Sequence, residues 1–296
     1  MSAIGPIRRG AGSKSRAAGL SIISNTLLIA AKVAAGAITG SIAIITEAVH
    51  SSIDLLASVI AFVSVRKADV PADEDHLYGH EKVENLAAAI EGILILLGAG
   101  VIVFEATRRL ATGSEVKSLG VGIAVIAGSA VVNVLVSGYL GRQAKRHDSA
   151  ALEGDAAHLR ADALTSVGVV VGLVLVETTD NAVFDPIAAL VVAAAIVYSG
   201  IRILNRSSRV LVDEAPPADE MTRIVAAIEK ARTPEVVGYH KLRARRSGSR
   251  RHIDLHVQFA AGTTLERAHS LAHRLRAAIE EDLPHADVLI HVEPEK

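Results

Sequence analysis

The chain has 296 residues, of which 50% are hydrophobic and 21% charged, with a formal net charge of −1. Its mean hydropathy of +0.38 is too high for an average soluble protein, whereas its charge content is too high for a chain that lies in a membrane throughout. The small net charge gives no electrostatic basis for binding nucleic acid, and the absence of Cys excludes disulfides, thiolate metal sites and cysteine nucleophiles. Any metal must be bound by His, Asp and Glu.

Residues 1–16 are basic and rich in Gly and Ser, which predicts a disordered arm. The apolar run that follows is too long for a cleaved signal peptide and predicts an uncleaved membrane span. Six stretches of roughly 20 mainly apolar residues predict an α-helical membrane domain over residues 17–209. The predicted spans are 17–39, 42–65, 84–107, 118–141, 151–177 and 184–204.

Lys and Arg near the span ends lie mostly on one side of this topology, the exception being the loop with Arg108, Arg109 and Lys117. By the positive-inside rule both termini are cytoplasmic. We therefore predict a multi-pass protein of the cell's inner (plasma) membrane, with the lipid bilayer as its surroundings.

One pattern, acid-Ala-x-His-x-x-x-Asp, occurs twice, at 47–54 and at 155–162. A spacing of four places His50 with Asp54, and His158 with Asp162, on one helix face. Counted at ~1.5 Å per residue, the two Asp fall roughly 18 and 15 Å from opposite faces of a core ~30 Å thick, so both lie near its middle. In water such pairs usually only stabilise a helix. Inside lipid, where charge is costly, the pattern predicts a site for Zn²⁺ with two His and two Asp ligands.

Two carboxylates buried together without metal are unfavourable unless they bind protons. Metal and protons therefore compete for the same atoms, which is a physical basis for their exchange. Glu47 and Asp155 each precede a His by three residues. We interpret them as polar groups at a water-filled vestibule, with transient ligation as the alternative.

Other polar residues in the membrane domain and its loops have simpler interpretations. Lys32 is predicted to extend outward, and Asn25 to hydrogen-bond across helices. The polar loop before residue 84 contains Asp73, His76 and His80, which form either a second zinc site or a solvated turn. His80 and Glu81 do not begin a zinc-protease HExxH motif, because the fifth position is Glu84.

Residues 210–296 change to amphipathic periodicity and predict an αββαβ order, as in a small ferredoxin-like, metallochaperone-like cytoplasmic domain. His252, Asp254 and His256 alternate along one predicted strand, and His291 and Glu293 along the last. His240 lies on the preceding strand and His269 and His273 on a helix. These side chains are either incidental surface residues or a metal site.

From about residue 20, nearly the whole chain resembles the cation diffusion facilitator family of proton-coupled zinc exporters. The likeness is carried by the αββαβ tail and by the segments TGSIAIITEAVHSSIDLLAS, DEDHLYGHEKVENLA and HLRADALTSVGVVVG. The resemblance implies a zinc-preferring transport site, a loop site and a C-terminal binuclear site, with Glu293 where a relative has Asp. It also implies a homodimer joined through the soluble domains, with a charge interlock of Lys82 and Asp213. The implied ligands are His50, Asp54, His158 and Asp162; Asp73, His76 and His80; and His240, His256, His269, His291 and Glu293.

The sequence therefore predicts a homodimeric transporter, not an enzyme, which exports Zn²⁺ in exchange for H⁺ by alternating access. In this hypothesis the two His of the transport site accept protons and the two Asp neutralise the ion. Export of Cd²⁺, Co²⁺ or Fe²⁺ on the same fold is an alternative, because N/O ligands select weakly among these metals. A metal-sensing membrane protein is another. An intramembrane metalloenzyme would need a general base beside the metal, and no such arrangement occurs in the sequence.

Overall fold

The computed structural model describes residues 11–39, 42–112 and 120–295, without certain side chains within these ranges, those of Glu47 and His50 included. The chain divides into two compact units, Met1–Ser208 and Arg209–Lys296, hereafter the N-terminal and C-terminal units. Among the described residues, six long helices begin in the N-terminal unit. They are α1 (Ala11–Thr39), α2 (Ile42–Ala68), α3 (Lys82–Thr112), α4 (Gly120–His147), α5 (Ala150–Thr179) and α6 (Phe184–Leu211).

Four helical stretches in the described part of the chain are long and apolar enough to cross a membrane. These are Gly12–Ile38, Lys82–Thr112, Ala150–Val176 and Phe184–Leu211. The predicted spans 42–65 and 118–141 coincide with α2 and α4. Several side chains of the first span, and residues 118 and 119 of the second, lie outside the description. The six-span count therefore stays a prediction. Residues 11–16 belong to α1, so the prediction of a disordered arm is wrong for them, and residues 1–10 lie outside the described residues.

Small side chains form much of the contact between these helices. Ala18 of α1, Ala61 of α2 and Ala87 of α3 are almost fully buried in one cluster with Ala151 and Ala156 of α5. Such residues let helix backbones approach closely, which favours packing where no water drives association. The Ala-rich composition thus has a structural consequence: it brings polar groups on different helices within hydrogen-bonding distance.

Two such polar groups lie on α1. The predicted cross-helix hydrogen bond of Asn25 is present, from its Nδ2 to Oγ of Ser58 at 2.8 Å. The prediction for Lys32 is wrong. Its side chain does not extend outward but is buried, and Nζ donates to Oγ of Ser51 on α2 at 2.7 Å.

An ionic network, in which Glu84 is the buried member, joins the ends of several helices. Nζ of Lys14 on α1 lies 2.9 Å from Oδ1 of Asp69 and 2.9 Å from Oε1 of Glu84 on α3. The other oxygen of Glu84 accepts a hydrogen bond from Ser149, the residue that caps the N-terminus of α5. Lys14 is the cation that compensates the buried Glu84 carboxylate.

Replacing Lys14 with Met is therefore expected to lower the free energy of unfolding by ~3–5 kcal/mol, because it leaves a buried carboxylate without its partner. Thermal unfolding of the purified protein in detergent measures the effect. Lys67→Met, at an exposed position on α2, is the control and should unfold like the wild type. Equal melting temperatures for the two variants would contradict this account of Lys14.

The C-terminal unit has the predicted αββαβ order: α7 (Ala218–Ala231), β1 (Val236–Ser247), β2 (Arg250–Phe259), α8 (Leu265–Asp282) and β3 (Ala286–Pro294). Gly248, with φ +55°, lies in the tight turn between β1 and β2. The sheet has the order β1-β2-β3, with β1 and β2 antiparallel and β2 and β3 parallel. The core of the C-terminal unit is formed by apolar residues of α7, α8 and the sheet, among them Ile228, Leu255 and Leu275. The ferredoxin-like assignment itself stays a prediction.

Candidate metal centres

Three residues of the repeated motif converge between α2 and α5. Nε2 of His158 lies 3.3 Å from Oδ1 of Asp54 and 4.0 Å from Oδ2 of Asp162. One ligand atom from each residue lies within 4.8 Å of the others, a spacing that suits a single bound cation. Asp54 and His158 are only 7% and 6% exposed, and Asp162 is partly exposed.

The helical spacing accounts for this geometry. His158 and Asp162 are four residues apart on α5 and so share a face, and α2 brings Asp54 against that face. His50 belongs to the helical run of α2, but its side chain lies outside the described residues. The described part of this site offers one imidazole and two carboxylates, and the chain has no thiolate. These donors suit zinc and similar divalent ions.

The surroundings of Asp155 differ from those that the sequence-based interpretation gave it. It is fully buried, so the prediction of a water-filled vestibule is wrong for this residue. Its Oδ1 accepts hydrogen bonds from Oγ of Ser21 at 3.1 Å and of Ser58 at 3.0 Å. Asp155 thereby links α1, α2 and α5 one helical turn before His158. The side chain of Glu47, its counterpart in the first motif, lies outside the described residues.

Sequence reasoning missed Glu91, a fully buried residue of α3. Neither of its carboxylate oxygens has a hydrogen-bond partner among the described residues. The only sequence signal was an acid inside a predicted span, which is costly enough to suggest a function by itself.

The loop between α2 and α3 brings together its three predicted ligands, Asp73, His76 and His80. Oδ2 of Asp73 lies 3.1 Å from Nε2 of His80, and Oδ1 lies 3.1 Å from Nδ1 of His76. Desolvation alone would raise the pKa of Asp73, but the backbone and ring hydrogen bonds of His76 and the nearby imidazoles outweigh it and lower that pKa. His80 is almost fully buried, whereas Asp73 and His76 are exposed, so this cluster faces solvent on one side.

The C-terminal cluster is built across the sheet. His240, His256 and His291 are direct neighbours in the register of the three strands. Glu293 lies two residues after His291 and so on the same strand face. Its Oε2 lies 2.9 Å from Nε2 of His240, and its Oε1 lies 2.6 Å from Nδ1 of His256. The hydrogen bond with His256, followed by that with His240, lowers the pKa of Glu293 to about 2 against the opposing effect of desolvation.

Two other predicted ligands of this domain have different surroundings. The ring of His291 lies 4.6 Å from that of His256, centroid to centroid, and its Nε2 is 3.7 Å from Glu293, so it borders the cluster. His269 instead contacts His273 one turn along α8, with 3.1 Å between their Nε2 atoms. His240, His256 and Glu293 are the group whose ligand atoms lie within 4.8 Å of one another.

Both units match family models of cation efflux proteins. Residues 19–212 match the family model described as the cation efflux transmembrane domain, and residues 216–295 match that of the cation efflux protein cytoplasmic domain. The chain is 32% identical over 275 residues to the uncharacterized transporter sll1263 of Synechocystis, covering 93% of this chain and 88% of the relative. It is 32% identical over 269 residues to the cation-efflux pump FieF of Serratia proteamaculans, covering 91% and 89%. A FieF of Yersinia pestis is 33% identical over 272 residues, covering 91% and 89%.

Proposed function

Because the chain belongs to the cation diffusion facilitator family of cation efflux transporters, we propose that it exports Zn²⁺ from the cytoplasm in exchange for H⁺. Membership in a family of transporters supports a multi-pass membrane protein with a transport role rather than an enzymatic one. The transported ion, the counter-ion and the ligands are the parts of this assignment that are proposed.

The observation that carries the proposal is that Asp54, His158 and Asp162 converge between two apolar helices. Asp54 and His158 are buried there. A buried carboxylate is costly, and a divalent cation offsets that cost by charge and by coordination. We assign His50 as the fourth ligand from its spacing to Asp54, which repeats that of His158 to Asp162. Two neutral imidazoles and two carboxylates then balance the charge of one Zn²⁺ in a tetrahedral set.

The same ligand set supports proton exchange. When the ion leaves, the carboxylates lose the charge that stabilised them, and proton binding at this cluster replaces it. Imidazole ordinarily titrates near neutral pH, so His50 and His158 are assigned as the proton acceptors. Alternating exposure of this site to the two sides of the membrane would then couple the two fluxes.

The assembly of the protein and its orientation in the membrane are also proposed. We assign a homodimer formed through the C-terminal units, both termini in the cytoplasm and a location in the inner membrane. The match of residues 216–295 to a cytoplasmic domain supports this orientation. The loop and C-terminal clusters are assigned as further zinc sites, because each offers imidazoles and a carboxylate within 4.8 Å.

Uptake into proteoliposomes under an imposed pH gradient tests the function, with Zn²⁺, Cd²⁺, Co²⁺, Fe²⁺ and Mn²⁺ compared. We expect Zn²⁺ uptake that rises with the gradient and collapses when a protonophore removes it. Flux of Cd²⁺, Co²⁺ or Fe²⁺ in preference to Zn²⁺ would correct the metal. Zn²⁺ binding without flux of any of these ions would favour a metal sensor and contradict the proposal.

A further inference from the structure

Glu91 occupies a place where an ionised carboxylate has no compensation. It lies on the face of α3 that packs against α5, and 0% of the residue is exposed. Neither Oε1 nor Oε2 accepts a hydrogen bond from any described residue. A Cβ on Gly154 would overlap Oε2, so the carboxyl group lies directly against the backbone of α5.

The charged groups around Glu91 are either committed elsewhere or of the same sign. On α3, Glu84 is paired with Lys14. On α5, Glu153 is paired with Arg206 of α6, at 2.6 Å. Asp155, adjacent to Gly154, lies within electrostatic range of Glu91 and is also an acid. Among the described residues, no Lys, Arg or His lies within ion-pairing distance of Glu91.

The two acids differ in how well their surroundings stabilise a negative charge. Asp155 accepts hydrogen bonds from Ser21 and Ser58, and hydrogen bonds to a carboxylate favour its charged form. Glu91 has no donor, and an isolated buried carboxyl group becomes neutral by binding a proton rather than remain charged. A proton shared by this pair therefore belongs on Glu91.

We propose that Glu91 holds a proton in the metal-free protein and releases it when a divalent cation occupies the Asp54, His158 and Asp162 cluster. Asp155 is the link between the two sites, since it precedes His158 by three residues, about 4.5 Å along the helix. A cation bound at His158 favours the ionised form of nearby acids. The chain thus has a proton-binding site separate from its metal ligands, an inference that rests on the proposed function.

Isothermal titration of the full-length protein in detergent with Zn²⁺, repeated in buffers of different ionisation enthalpy, counts the protons released per ion bound. Glu91→Gln keeps the shape of the neutral acid but carries no exchangeable carboxyl proton. We expect it to bind as much Zn²⁺ as the wild type while releasing fewer protons, by up to one per ion at this site, since one carboxyl group binds one proton. Glu105→Gln, the same change at a partly exposed position of α3 where the carboxylate is paired with Arg108 and Arg109, should leave the proton count unaltered.

Equal proton release by Glu91→Gln with intact Zn²⁺ binding would overturn the proton site and leave the exporter proposal standing. Loss of bound Zn²⁺ in this variant would make Glu91 a metal ligand and also overturn it. The absence of flux in the wild type would instead count against the proposed function.

Infrared difference spectroscopy adds a test that the wild type alone can fail, with Glu91→Gln used to assign the band. The band of a protonated carboxyl group should weaken when Zn²⁺ is added, and Glu91→Gln should lack that change. A wild-type spectrum with no such change overturns the inference.

Discussion

Replacing Asp162 with Ala is expected to abolish Zn²⁺ transport into inverted vesicles while leaving the protein folded. The variant removes one of the two described carboxylates of the cluster and leaves His158 and Asp54 facing each other at 3.3 Å. Truncating one charged partner at a buried binding site costs ~2–5 kcal/mol of binding free energy. At 1.4 kcal/mol per tenfold change, even the lower figure weakens ion binding by roughly 30-fold.

Ser166→Ala is the matched control for Asp162→Ala. Ser166 lies one turn further along α5, and its Oγ donates only to the backbone carbonyl of Asp162 at 3.0 Å. Its removal deletes a polar group from the same helix but leaves the side chains of the proposed ligands in place, and transport should stay near the wild-type rate. Transport retained by Asp162→Ala, with both variants equally folded, would count against this residue as a ligand.

The second large effect is expected in the C-terminal unit, where Glu293 joins His240 and His256. Zinc at ~100 times its dissociation constant should stabilise this unit by about 2.7 kcal/mol. For a unit of this size that corresponds to a rise of about 10 °C or more in melting temperature. Glu293→Ala removes the carboxylate that both imidazoles contact, so most of this rise should be lost.

Thermal unfolding of residues 209–296, with and without Zn²⁺, measures this effect. Glu281→Ala, at an exposed position of α8, is the control and should keep the full zinc-dependent rise. An undiminished rise in Glu293→Ala would mean that zinc binds this unit elsewhere. The pair of His269 and His273 would then be the next candidate.

The sequence predicted those features that depend on spacing along one element. A separation of four residues was enough to place His158 and Asp162 on one face of α5. Alternation in 238–248 and 250–260 was enough to predict two consecutive strands, which pair in the structure with His240 beside His256. In both cases the period of the element decides which side chains are neighbours.

The identity of the partners across helices could not be predicted, because it depends on how the helices rotate against one another. Lys32 and Asp155 were assigned to water because each carries a charge, yet small residues bring α1, α2 and α5 close enough to supply Ser51, Ser21 and Ser58 as partners. Glu91 has no motif around it. Its assignment as a proton-binding site follows only from its burial against Gly154 and from the lack of a described hydrogen-bond donor there.

The proposed zinc export depends most directly on an ion bound between α2 and α5. An anomalous difference map, recorded at the zinc absorption edge from crystals of the protein grown with Zn²⁺, locates the ion directly. A peak is expected within coordination distance, about 2.0–2.2 Å, of ligand atoms of His158, Asp54 and Asp162. Peaks confined to the loop and C-terminal clusters, in a preparation that transports zinc, would show that the transported ion does not bind there.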